Sequence, residues 1–141
     1  MLLGASDEAL MESIADTILP ETTASPGAKA AGCGAAINLL LTDCYDAAGQ
    51  RRATAAIAAF RARAHTDFVA MSDADRTSLL RTINDESHTA GSGHWFHLLH
   101  ELSTRTYFAS EIGVTKALRY VREPGHFTGC VPITPGQPAW S

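Results

Sequence analysis

The sequence has little charge and few of the markers that identify most function classes. Charged residues occupy 18% of its 141 positions, and the formal net charge is −4. With no basic stripe for a phosphate backbone to follow, nucleic acid is excluded as a partner. No apolar run reaches the roughly twenty residues that a helix needs to cross a bilayer. The opening Met1-Leu-Leu-Gly-Ala-Ser6 has no basic n-region, and its apolar part is too short for a signal peptide. As written, the chain reads as cytosolic or as the mature part of an exported protein. Internal repeats, alternating strand patterns and low-complexity segments are all missing.

Cysteine is scarce too. Cys33, Cys44 and Cys130 match no metal or haem spacing. Cys33 and Cys44 fall on one expected helix, where eleven residues span about 16 Å. A disulfide needs Cα atoms within about 7 Å, so these two do not pair with each other. Two readings stand: a bond from Cys33 or Cys44 to Cys130 in an oxidising compartment, or buried free thiols.

Catalytic sets are equally thin. Gly32-Cys-Gly34 lacks the preceding strand and the third glycine of a dinucleotide fingerprint. Gly91-Ser-Gly93 does not have the spacing of a nucleophile elbow. Asp43 is a lone acid without a visible partner, and Ser110-Glu111 serve to close a helix or hold the segment beyond it. His94, His97 and His100, with His88 nearby and Glu101 four residues past His97, are the one metal-like group. His94 and His100 lie about 120° apart around a helix, so the three do not converge on one ion. The expectation is no catalytic residue, no cofactor and no metal ligand in this chain. The alternative is a stand-alone helical ligand- or metal-binding protein using His94, His97 and Glu101.

What the sequence does contain is helix. Hydrophobic residues make up 45% of it, many of them alanine. Ser6 is placed to cap a first helix carrying Met11, Ile14 and Ile18, which Pro20 stops. A polar loop, Glu21 to Gly27, leads to a second helix from Ala28 to about Ala48. Its apolar face is Ile37, Leu40, Leu41, Cys44 and Tyr45, and Gly49 closes it. Gly32 and Gly34 mark either a close helix approach or a later start. A third helix, from about Gln50 to His65, carries Ile57, Phe60 and Ala64, with a solvated face of Arg51, Arg52, Arg61 and Arg63. Ser72-Asp-Ala-Asp75 forms a capping box ahead of a fourth helix with Leu79, Leu80 and Ile83. After the loop Thr89 to Gly93, a fifth helix runs from His94 to Ile112. Its core stripe is Trp95, Leu98, Leu99 and Leu102, with Phe96 and Tyr107 flanking and Phe108 nearly opposite. A short helical turn, Val114 to Tyr120, follows. The expected fold is all-α: a single compact bundle of about five helices over residues 1–121. Residues 122–141 form a long irregular tail.

That tail is the unusual part. Its twenty residues hold four prolines and three glycines, so neither a helix nor a central strand runs through it. Yet Phe127, Val131, Ile133 and Trp140 make it too apolar for a solvated, disordered segment. It is expected to lie extended along a surface, either that of its own helices or that of a second protein.

Several segments together resemble the gluconate 2-dehydrogenase subunit 3 family. They are Ile14-Ala-Asp-Thr-Ile-Leu-Pro20, Ser25-Pro-Gly-Ala-Lys-Ala-Ala-Gly32, Asp43-Cys-Tyr45, Tyr107-Phe-Ala-Ser-Glu-Ile-Gly113 and Ala117-Leu-Arg-Tyr120. In the tail, Gly129-Cys-Val-Pro132 through Pro135-Gly136 to Ala139-Trp140 continue the likeness. The order is kept over nearly the whole chain, and Arg51 to Gly93 matches in helical character alone. The resemblance implies a non-catalytic small subunit that helps fold, export or stabilise a large subunit of the glucose-methanol-choline oxidoreductase type. FAD belongs in that large subunit, and haem c or an iron–sulfur cluster elsewhere in the complex, where a cytochrome c subunit or another acceptor takes the electrons. It also implies a periplasmic location, although the twin-arginine signal of many members is not in this sequence. It leaves open whether Cys130 bonds to Cys44 or crosses to the large subunit. The residues expected to meet the partner are Phe96, Tyr107, Phe108, Tyr120, Phe127, Val131, Ile133 and Trp140. A further reading is a transient export chaperone that leaves the mature enzyme.

Overall fold

The computed structural model describes residues 1–123, 125 and 129–139. Five α-helices follow in order: α1 (Ala5–Ile18), α2 (Cys33–Cys44), α3 (Ala47–Ala64), α4 (Asp73–Ala90) and α5 (Phe96–Ala109). A 3₁₀ turn at Phe68–Ala70 precedes α4, and a π-helical turn at Gly113–Ala117 follows α5. No β-strand occurs among the described residues, so the fold is all-α as expected. α5 packs against each of the other four α-helices, and α1 lies against α2, α4 and α5. The core between them holds Leu10, Met11 and Ile14 of α1, Ile37 and Leu41 of α2, Phe60 of α3, Ile83 of α4 and Leu99 and Leu102 of α5. Phe60 stands edge-on to Phe68 at 5.0 Å and to Trp95 at 6.2 Å.

The chain start differs from expectation. Gly4, not Ser6, is the N-cap of α1, and its carbonyl accepts from the amides of Asp7 and Glu8. The reason is tertiary. Asn38, buried in α2, accepts from the Leu3 amide (2.8 Å) and donates to the Leu3 carbonyl (3.0 Å) and to Glu8 Oε2 (2.8 Å). Thr42 Oγ1 accepts from the Leu2 amide at 2.9 Å. Residues 2 and 3 are thus pinned along α2, and the helix starts where that tether releases the chain. Ser6, left inside the first turn, accepts from Arg61 of α3 instead.

Both glycine signals in the second helix are realised. Gly32 has φ 62°, a left-handed conformation that ends the preceding turn and delays α2 to Cys33. At Gly34 a Cβ would come within 2.7 Å of the Glu8 carbonyl oxygen and 2.8 Å of Glu12 Cβ, so α1 and α2 touch backbone to backbone there. α2 then ends earlier than expected, at Cys44. Asp46 caps α3 by accepting from the Gly49 amide at 2.7 Å, which places Gly49 inside α3 rather than at a helix end. Ser72 caps α4 as expected, its Oγ accepting from the Asp75 amide (3.2 Å), but the Asp75 carboxylate accepts from that same hydroxyl (2.7 Å), where a capping box would have it accept from the Ser72 amide.

α5 is shorter than the periodicity predicts at both ends. It breaks at Ser110, whose Oγ donates to the Tyr107 carbonyl (2.6 Å) and accepts from the Gly113 amide (3.0 Å). This hydroxyl replaces helix bonds and opens the wider π turn. Only glycine fits at 113, because a Cβ would run into the Tyr107 carbonyl. Past the π turn, the described residues 119–123, 125 and 129–139 are exposed apart from Gln137, which is half-buried. A turn from Thr134 to Gln137 and a 2.7 Å bond from the Arg119 amide to the Ala139 carbonyl fold this segment back on itself. Its described apolar residues do not lie down on the helices: Val131 is 51% and Ile133 85% exposed.

Candidate partner-docking surface

The residues expected to meet a partner separate into two groups. Phe96 and Tyr107 belong to the chain's own core, at 2% and 3% exposure, so neither ring offers a docking face. The buried face of α5 is Phe96, Leu99, Leu102, Ser103, Thr106 and Tyr107, with Trp95 and Leu98 half-buried. It is rotated from the expected stripe because α5 is covered on several sides by other helices. Phe108, Tyr120, Val131 and Ile133 are exposed. Phe127 and Trp140 lie outside the described residues.

Tyr107 has a different task. Its hydroxyl donates to the Pro26 carbonyl at 2.6 Å and shares a 2.6 Å hydrogen bond with Ser25 Oγ. This fastens the loop before α2 to α5 across more than eighty residues of sequence. On the same loop, Asp16 Oδ1 accepts from the Lys29 amide at 3.0 Å. Gly27 sits where a Cβ would be 2.6 Å from the Glu21 nitrogen. Asp16, Ser25, Pro26, Gly27 and Tyr107 therefore form one structural joint. They come from three of the segments that carried the family resemblance, and the joint explains those residue types by packing, not by chemistry.

His88, His94 and His97 group at the α4–α5 corner. The His97 ring lies 6.3 Å from both His88 and His94. His94 Nδ1 accepts from the Phe96 amide at 3.2 Å, and His97 Nε2 bonds to the Gly91 carbonyl at 3.1 Å. His100 turns away to stand edge-on to Phe96. Among the described residues no three His, Cys, Asp or Glu side chains come together as a metal set. Of the cysteines, Cys33 is buried while Cys44 and Cys130 are exposed, and all three are free thiols. Burial pushes the Cys33 thiol up to about 11, with the Glu12 and Asp16 carboxylates adding to the effect. That thiol stays protonated and inert at neutral pH.

The feature sequence reasoning missed is a second apolar stripe on α2. Cys33, Gly34, Ile37, Asn38 and Leu41 face the core. Ala36, Leu39, Leu40, Asp43 and Cys44, at the i, i+3, i+4, i+7, i+8 spacing of a complete helix face, line an open groove of about 460 Å³. Its other wall is the C-terminal half of α5: Arg105, Thr106, Ala109 and Ser110. Leu39 is 53% exposed on the rim. Thr106 is buried to 8% exposure, and its Oγ1 has no hydrogen-bond partner. Among the described residues neither Asp43 nor Arg105 is ion-paired, although one stands on each wall. Of the expected face, Ile37 and Leu41 are core, Leu40 and Tyr45 are half-buried against it, and Cys44 is exposed at the groove. The signal for it was present, since an α-helix apolar on more than one side has more than one contact to make.

No helix among the described residues is long and apolar enough to cross a membrane. The family model for gluconate 2-dehydrogenase subunit 3 matches residues 5–125. No curated protein and no solved structure shows a significant match. The match runs from the first residue of α1 to Gly125 and stops short of the tail's Gly129-Cys-Val-Pro132. The chain belongs to the gluconate 2-dehydrogenase subunit 3 family.

Proposed function

We propose that this chain, as a member of that family, is the non-catalytic small subunit of a flavin-dependent dehydrogenase acting on a sugar, sugar acid or glycoside. It would bind the large subunit and help to fold, stabilise or export it. The match over residues 5–125 carries this reading. The exposed apolar residues Tyr120, Val121, Val131 and Ile133 support it, because at 40–85% exposure they leave apolar surface open to a partner. In this reading the large subunit is of the glucose-methanol-choline type, and its FAD takes the hydride from the carbinol carbon. A cytochrome c subunit or another acceptor, with haem c or an iron–sulfur cluster in the complex, takes the electrons onward. The complex works in the periplasm. The part left to this chain is contact: apolar surface and hydrogen-bonding groups presented on a rigid helical frame.

Co-expression with a neighbouring flavoprotein gene tests the proposal. The expected result is an equimolar complex with flavin absorbance, and a yield of soluble large subunit at least tenfold lower when this chain is omitted. A chain that is monodisperse and fully stable alone, beside a flavoprotein that folds and works without it, would remove the reading.

A further inference from the structure

α5 packs against each of the other four α-helices, so a change in its first turn reaches the whole bundle. That turn carries no acidic side chain, and Trp95 ahead of it already has helical φ and ψ and caps nothing with its own side chain. The capping acceptor is an imidazole. His94 Nδ1 takes the Phe96 amide at 3.2 Å, and the His94 carbonyl takes the His97 amide at 3.2 Å. A neutral imidazole has one bare nitrogen and one N–H, so this cap requires the His94 proton on Nε2. His97 is used the other way round. Its Nε2 donates to the Gly91 carbonyl at 3.1 Å, a bond that survives when the ring gains a second proton. At His94 alone, a proton and a backbone amide compete for one lone pair. Imidazole is the side chain whose charge changes between about pH 5 and pH 8.

We propose that His94 is an acid-sensitive latch on α5: as pH falls, Nδ1 takes a proton, releases the Phe96 amide, and the first turn of α5 opens. The folded chain gives up a bond to bind that proton and the unfolded chain does not, so stability declines towards acid. The charges around His94 come from three helices. α3 brings Arg52, which lines the same hollow, and Arg63; α4 brings Glu86 and His88; α5 brings His97 and Glu101. Arg52, the His97 ring at 6.3 Å and the free amides at the start of α5 all oppose a cation at His94. Glu86 and the Trp95 ring, 4.8 Å away, favour one. Glu86 is exposed, however, and already holds Arg63 through bonds of 2.6 and 3.1 Å. Trp95 adjoins the turn that opens, so its attraction does not keep that turn shut. The opening reaches the core, because Trp95 stands edge-on to Phe60 and Phe96 is buried. Nothing in this latch depends on a partner subunit.

The full chain with Trp140→Phe keeps Trp95 as its one tryptophan, and its fluorescence reports the turn. Between about pH 8 and pH 5 the emission should shift to the red. Over the same interval the amide protection factors of Phe96 and His97 should fall roughly fivefold. His94→Asn supplies a cap that accepts without titrating. It should match the wild type at the alkaline end and lack the acid step, so that the wild type loses about 3 °C more in melting temperature on acidification. His97→Gln should keep the step. If the step persists in His94→Asn, or vanishes in His97→Gln alone, the titrating group lies elsewhere and the latch is overturned. Ring nitrogen shifts of the wild type near neutral pH decide the matter even where a variant does not fold. A bare Nδ1 on His94 together with acid loss of protection at Phe96 supports the latch; a proton on Nδ1, or unchanged protection, overturns it.

Discussion

The two faces of α2 are built from similar residues and have opposite standing. The inner face holds Ile37 and Leu41 at 0% exposure and Asn38 at 1%, and its Gly34 touches α1. The outer face holds Leu39 at 53%. Both are apolar and both keep helical spacing, yet one is welded into the core and the other waits at the surface. Apolarity alone therefore says that a face wants cover, not what covers it. The inner face serves the fold, where a change is felt at once. On the outer face Leu39 is open to solvent, where a change costs the fold little.

That contrast can be broken most forcefully on the inner face. Leu41→Ala deletes a fully buried side chain between α2 and the core. It is expected to lower unfolding free energy by about 3 kcal/mol in urea titrations, within the roughly 2–5 kcal/mol range of such truncations. Loss of less than about 1 kcal/mol would show that the inner face is not the closed one.

Asn38→Ala is the next largest. It leaves the buried amide and carbonyl of Leu3 without partners, and should cost about 2 kcal/mol. Amide exchange at residues 2–8 should rise together with that loss. An apolar replacement that restored full stability would show that the Asn38 bonds do not hold the chain start.

The mildest test compares the two cysteines of the helix. The Cys33 thiol titrates near 9.0 when unfolded and at about 11 in the fold. Between those values the unfolded chain loses its proton first, so stability falls as pH rises from about 9 to about 11 and is flat in this respect below and above. The contribution is on the order of 2 kcal/mol at its full extent. Cys33→Ala should remove that part of the pH dependence, read as the difference from wild type in denaturant unfolding at each pH. At pH 8 alkylation should label Cys44 and spare Cys33. Equal labelling of both would erase the distinction between the faces.

Much of this molecule was legible in the sequence because the relevant physics is local. Apolar residues every three or four positions, Pro20 after α1 and the Ser72 cap before α4 each act within a turn or two of chain. Gly32 and Gly34 were readable as alternatives, and the structure uses both. The errors arose where a local signal competed with a distant contact. Ser6 is a good cap by type, but Leu3 is held by Asn38 from 35 positions away and the helix begins earlier. Phe96 and Tyr107 look like surplus aromatics on α5 until the other helices close around them. Tyr107 then spends its hydroxyl on Pro26, 81 positions back.

The sequence by itself determined that this chain is a helical protein of the gluconate 2-dehydrogenase subunit 3 family, since spacing, caps and family segments all lie along one dimension. Only the tertiary structure decided which stripe of α2 is core and which is groove. The two differ little in apolarity, so the choice falls to the surfaces that α1 and α5 bring to them. Those surfaces come from far along the chain and meet α2 only once the bundle has closed.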